Sequence, residues 1–161
     1  MKTLTLGADP GICGSLAFYD FTSKELVSVH DMPLKTKTAK YNEIDLVALG
    51  LLIGEKAERI ALAVIEEVGA RPGEGRTTVF KFGFAAGALA MATASYLIPT
   101  HHTPPSVWKS LMGLSSNKDL SRKRAQDLWP SHSNLFTRKK DDGRAEAALL
   151  AKFGERLIGR A

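Results

Sequence analysis

The 161-residue chain contains one cysteine, Cys13, so no intrachain disulfide can staple the fold. A lone thiol suits a reducing compartment, and a cytoplasmic location is expected. No stretch approaches ~18 consecutive apolar residues, and the opening MKTLTLGADPG has neither an apolar core nor a small-residue cleavage site. A membrane partner and an export signal are therefore not expected. Internal repeats, low-complexity tracts and a linker-like segment are also lacking, which makes residues 1–161 a single domain. A chain of this length buries roughly 68–70% of its unfolded surface. With 44% hydrophobic residues it can build a core without metal or disulfide staples.

Acidic charge is in short supply: 22 Lys and Arg stand against 17 Asp and Glu, a net charge of +5. The excess is local. Between Lys109 and Arg144 lie Lys109, Lys118, Arg122, Lys123, Arg124, Arg138, Lys139, Lys140 and Arg144, against Asp119, Asp127, Asp141 and Asp142. Nine bases minus four acids equals the whole net charge. Such a segment is either a solvated face or a surface for phosphates.

Three short strand-like runs open the chain: residues 2–9, stopped by Pro10-Gly11, then Ser15–Phe21 and Glu25–Val29, together an antiparallel meander. Residues 31–42 are polar and contain Pro33, which predicts a surface loop. Apolar spacing over Asn42–Glu58 predicts a helix. The continuous apolar run Ile60–Ile65 predicts a strand buried on both faces. A Gly/Arg-rich loop at 69–78 precedes a long apolar helix over Val79–Tyr96. Leu97–Thr100 suggests a short strand, Pro104-Pro105 a helix start running through Leu111, and Lys118–Trp129 a basic helix stopped by Pro130. Residues 131–140 look mobile, and Asp142–Ile158 forms the last helix. This order describes an α/β fold with a mixed five-stranded sheet, three antiparallel strands then parallel ones, flanked by helices.

Acidic groups fall where that core should form. Asp9 ends the first strand, Glu66 ends the most hydrophobic one, and Asp142 and Glu146 share a face of the last helix. Asp141 is a competing choice, but its five-residue separation from Glu146 turns it by ~140° around the axis, which favours Asp142. Three of the acids also have an ordinary explanation: turn capping for Asp9, a helix cap for Asp142, a surface pair for Glu146. Glu66, ending a buried apolar strand, is less easily dismissed. Two like charges ~4 Å apart repel by roughly 4 kcal/mol at an effective dielectric of 20. A gathering of such groups therefore calls for raised pKa values, basic partners or a cation. Oxygen-only ligands suit Mg2+, with Mn2+ as a substitute, and two such ions can clamp a phosphodiester. Trp108 and Trp129 are expected in the core rather than as base-stacking platforms. His101-His102 is expected in a loop and not on a metal.

Several of these segments, taken in order, resemble one family. LGADPGICGSLAFYD is similar to the first strand and turn of RuvC-type Holliday junction resolvases, and AVIEEV to the family's second acidic strand. RTTVFKFGFAAGALAMA resembles the following Gly/Ala-rich helix. PPSVWKSLMGL, NKDLSRKRAQDLWP and KKDDGRAEAALLAKFG resemble the phage and prophage branch. The likeness spans nearly the whole chain. It implies a ribonuclease H-like fold and a homodimer, formed partly through the Gly/Ala-rich helix. It further implies a magnesium-dependent endodeoxyribonuclease that resolves four-way junctions and other branched DNA by paired nicks, in a bacterial cell or phage-infected host. Asp9, Glu66, Asp142 and Glu146 would be metal ligands, holding two ions per active site. Lys118 would assist catalysis, and Lys109 and Lys118 would contact phosphates. Arg71, Arg76, Lys81, Arg122 and Lys123 are further candidates for holding DNA. The competing functions are another ribonuclease H-like nuclease cutting flaps or structured RNA, a non-catalytic junction-binding module, and an ATP-binding protein suggested by DPGICG. The last fold normally needs two such domains, for which this chain is too short.

Overall fold

The computed structural model describes residues 1–38, 41–67, 69–70 and 72–159. Strands β1 (Leu4–Asp9), β2 (Ser15–Asp20) and β3 (Glu25–Asp31) form the expected meander. After β4 (Leu34–Thr38), β5 (Tyr41–Ile44) and helix α1 (Leu46–Gly54) comes β6 (Ile60–Glu66). Helix α2 (Arg76–Ser95), strand β7 (Thr100–Thr103) and helices α3 (Pro105–Leu111), α4 (Lys118–Leu128) and α5 (Asp142–Ile158) complete the order. The main sheet runs β3-β2-β1-β6-β7; β1 and β2 pair antiparallel, as do β2 and β3, while β1–β6 and β6–β7 are parallel. This is the mixed five-stranded sheet that the sequence predicts.

Strand alternation divides the core into two layers. Leu4, Leu6 and Ala8 of β1, with Ile60, Ala63 and Ile65 of β6, join Leu49 and Ile53 of α1 and Ala85 and Leu89 of α2. On the opposite face, Val64 packs with Trp108, Trp129, Phe136 and the Ala147, Ala148, Ala151 and Phe153 side of α5. Alternation sends Thr5, Gly7 and Asp9 of β1 to this second face, where the Thr5 hydroxyl donates to the Ala151 carbonyl at 2.6 Å. Gly7 is needed there: a Cβ would run into the Ala147 carbonyl and the Ala151 amide. The missing side chain lets α5 lie against the centre of the sheet, and with it Glu146.

Several boundaries differ from expectation. The loop predicted over 31–42 contains β4 and, paired with it antiparallel, the start of β5. The helix predicted from Asn42 starts only at Leu46, where the Asp45 side chain accepts from the amides of Val47 and Ala48. Helix α2 begins three residues before the predicted Val79, since Arg76, Thr77 and Thr78 continue it into the polar loop. Past α2, Leu97 takes a left-handed φ of 52°, which delays the next strand to Thr100 and puts His101 and His102 in it rather than in a loop. The segment expected to be mobile at 131–140 is ordered as 3-10 turns over Pro130–Phe136 and Lys139–Asp141, anchored by buried Phe136. By length and composition alone, α2 could cross a membrane. Here Ala85, Leu89 and Thr93 are buried against the rest of the fold.

Candidate metal centre

Parallel pairing of β1 with β6 places Ala8 opposite Ile65, so Asp9 and Glu66 follow side by side at the ends of their strands. Both strands end on the face that α5 covers. Glu146, one turn into α5, meets them there. Oxygen atoms of Asp9, Glu66 and Glu146 all lie within 4.8 Å of one another. The beginning of α5 also abuts the first strand's turn: a Cβ on Gly143 would sit 2.7 Å from the Cys13 carbonyl and 3.3 Å from Asp9 Oδ2. That helix N-terminus carries partial positive charge, which favours a carboxylate beside it.

Burial pushes the Asp9 carboxyl well above its ordinary range, and the charges of Glu66 and Glu146 push it further; Lys118 and Lys109 oppose them. Glu66 is raised for the same first reason, with the Trp108 hydrogen bond acting against burial. These are anionic groups held together at a cost, short of positive charge. Three oxygen-donor side chains converging from three elements fit a hard divalent cation such as Mg2+ or Mn2+.

Helix α3 supplies two neighbours to this cluster. It starts immediately after β7, whose Thr103 pairs with Glu66. Its Trp108 indole N–H donates to Glu66 Oε1 at 2.9 Å, and its Lys109 Nζ donates to Glu146 Oε1 at 2.5 Å. Trp108 was expected only as core. The sequence signal was the indole N–H itself, which needs an acceptor once the ring is buried.

The fourth expected ligand, Asp142, lies outside the three-carboxylate cluster. Its carboxylate pairs with Arg122, and Lys118 Nζ is 3.9 Å away. Asp141 is not in the cluster either. It is buried, accepts from the Arg138 backbone and side chain at 2.8 Å each, and is lowered in pKa chiefly by that hydrogen bonding. Helical spacing correctly aligned Asp142 with Glu146, but a position at the very start of α5 brings it to the basic face of α4.

The candidate DNA contacts fall in different settings. Lys109 is buried against Glu146. Lys118 is largely exposed beside Asp142, Arg122 bridges Asp119 and Asp142, and Lys123 is exposed and paired with Asp127. Arg76 and Lys81 are exposed on α2. Arg71 lies outside the described residues. His101 and His102 are exposed on β7 and are not among the grouped ligands.

Sheet order, covering helices and strand-end carboxylates define a ribonuclease H-like fold. Among solved structures, the chain is similar to the RuvC of Thermus thermophilus in complex with a Holliday junction substrate, with TM-score 0.65, 17% identity and 96% of each chain covered. A second structure of Thermus thermophilus RuvC gives 0.55 at 18% identity, again over 96% of each chain. The Holliday junction resolvase of fowlpox virus gives 0.55 at 11% identity, over 96% of this chain and 99% of that one. At these identities the likeness establishes a shared RuvC-type fold. No family model matches the sequence, and no curated protein matches it.

Proposed function

We propose that this chain is a divalent-cation-dependent endodeoxyribonuclease that resolves four-way DNA junctions by paired nicks. The observation that carries the reading is the convergence of Asp9, Glu66 and Glu146 within 4.8 Å. The RuvC-type fold, shared with proteins that act on Holliday junctions, supports the substrate. The PPSVWKSLMGL and KKDDGRAEAALLAKFG segments suggest the phage and prophage branch.

Asp9, Glu66 and Glu146 would hold the metal. When bound, a pair of Mg2+ or Mn2+ ions supplies activation of water and stabilisation of the departing 3′ oxygen. The chain's own groups do the rest. Lys109 neutralises Glu146 from within the fold and keeps the three acids from expelling one another. Lys118 and Arg122 stand at the rim, where a phosphate can compete with Asp142 for both cations. Asp142 thereby keeps the phosphate-binding groups beside the site and is freed as they engage DNA. Lys123, Arg76 and Lys81 would hold the junction arms.

A homodimer is part of this reading. Phe80, Phe84, Gly87 and Met91 recur at helical spacing along one exposed stripe of α2, opposite the buried Ala85, Leu89 and Thr93. Phe80 is 73% and Met91 66% exposed. An apolar stripe of this kind suits a second copy of the same helix, which would set two metal centres on one junction.

The test is cleavage of a panel of substrates, comprising four-way junction, flap, linear duplex and RNA–DNA hybrid, with and without Mg2+. Paired nicks confined to the junction, lost on chelation, support the reading. Preferential cutting of flaps or hybrids would favour another ribonuclease H-like nuclease, and binding without cutting a junction-binding module.

A further inference from the structure

We infer that Trp108 is a positioning residue for Glu66, its indole N–H fixing one carboxylate oxygen so that the other is presented to the cation. The inference rests on the metal-site reading above and extends it to a residue that holds no metal itself.

Trp108 is fully buried, the largest side chain so enclosed. A buried indole needs an acceptor, and a backbone carbonyl usually suffices. Here the acceptor is Glu66 Oε1 at 2.9 Å. Among the described residues this is the one hydrogen bond the Glu66 side chain accepts, so Trp108 holds one of its two oxygens in place. The backbone makes the arrangement rigid. The Glu67 amide donates to the Thr103 carbonyl at 2.8 Å, tying the end of β6 to the residue before the Pro104-Pro105 start of α3. Trp108 then follows one turn later, and its neighbour Lys109 reaches Glu146. Lys109 Nζ also lies 5.4 Å from the Trp108 ring centre, so the two side chains brace each other. One short helix therefore sets the orientation of two of the three site carboxylates. A donor to a ligating carboxylate orients it in the way known for outer partners of metal ligands, whose loss weakens metal binding by about 10–100-fold.

The test uses the full-length protein labelled with 15N. Its two tryptophans give two indole N–H resonances, assigned by the one lost in Trp108→Phe or Trp129→Phe. The expected result is that MgCl2 shifts the Trp108 resonance and leaves that of Trp129 in place. In Glu66→Gln the Trp108 resonance moves before any Mg2+ is added and no longer responds to it. In Trp108→Phe, the Mg2+ concentration for half-maximal junction nicking rises about tenfold while the rate at saturating Mg2+ changes much less. If Trp108→Phe does not fold, the wild-type and Glu66→Gln spectra decide alone. A Trp108 resonance indifferent to Mg2+ or to Glu66→Gln overturns the inference. A protein that cuts no DNA while its Trp108 resonance follows Mg2+ through Glu66 sinks the nuclease reading and leaves this one standing. Junction cutting with a silent Trp108 does the reverse.

Discussion

Lys109 Nζ sits 2.5 Å from Glu146 Oε1, both side chains nearly buried, in the same pocket as Asp9 and Glu66. A buried ammonium on one of three clustered acids is an internal counter-charge. Removing it leaves an uncompensated anion, which in buried pairs destabilises by roughly 3–5 kcal/mol. Lys109→Met should therefore melt well below wild type without divalent ions. Added Mg2+ should recover more stability in the variant than in wild type, because the cation replaces the lost charge. Equal Mg2+ stabilisation of both proteins in thermal melts would contradict this.

Asp9 and Glu66 have carboxyls raised first by burial, then by neighbouring charge: that of Glu66 and Glu146 on Asp9, and that of Glu146 on Glu66. For such groups the folded protein favours the protonated form. Their contribution is fully present below the unfolded values of 3.8 and 4.5, and it is lost as pH rises through the raised folded values. Asp141 and Asp31, lowered by Arg138 and Arg144, act in the opposite sense and lose stability as pH falls. A difference measurement isolates the cluster. Metal-free Asp9→Asn should melt above wild type at pH 8, with the gap closing by pH 4. A gap that does not change with pH would mean that Asp9 is not strained by its neighbours.

Loss of a clustered carboxylate should cost more than loss of the rim one. Asp9→Asn, Glu66→Gln and Glu146→Gln each remove several kcal/mol of metal-borne stabilisation, at least about 10²-fold in nicking rate, while junction binding persists. Asp142→Asn, which frees Arg122 and Lys118 without emptying the cluster, should lose less, about tenfold. Single-turnover rates on a four-way junction decide it. An Asp142→Asn protein as dead as Asp9→Asn would return Asp142 to the ligand set.

The α2 stripe predicts the assembly. Phe84→Glu and Met91→Glu should turn a dimer into a folded monomer in sedimentation, since both side chains are exposed. They should reduce paired nicking to single nicks. Dimers that persist in both variants would exclude this face.

Much of this site was legible in the sequence because strand-end acids announce themselves against apolar runs. Asp9 and Glu66 could be placed from LGAD and AVIE, and Glu146 from its helical spacing to Ala145, Leu149 and Phe153. Asp142 shows where spacing stops being informative. A helix periodicity gives the face but not the neighbouring helix, and here α4 brings Arg122 to that carboxylate. Trp108 was placed in the core correctly, but the direction of its N–H depends on α3 docking beside β6, a contact distant in sequence. The β4–β5 hairpin was hidden by Pro33 and by lysines alternating with threonines, which look like a loop until two such strands pair. The 131–140 segment looked mobile because it is polar, yet Phe136 is buried, with its ring centre 6.4 Å from that of Trp129, and Arg138 closes on Asp141.

The most direct measurement is a crystal soaked in MnCl2, with anomalous scattering collected at the manganese edge. A peak bounded by carboxylate oxygens of Asp9, Glu66 and Glu146 is the result expected. Manganese absent from that pocket at saturating concentration, or bound elsewhere without any of the three, would contradict the metal centre and the nuclease built on it.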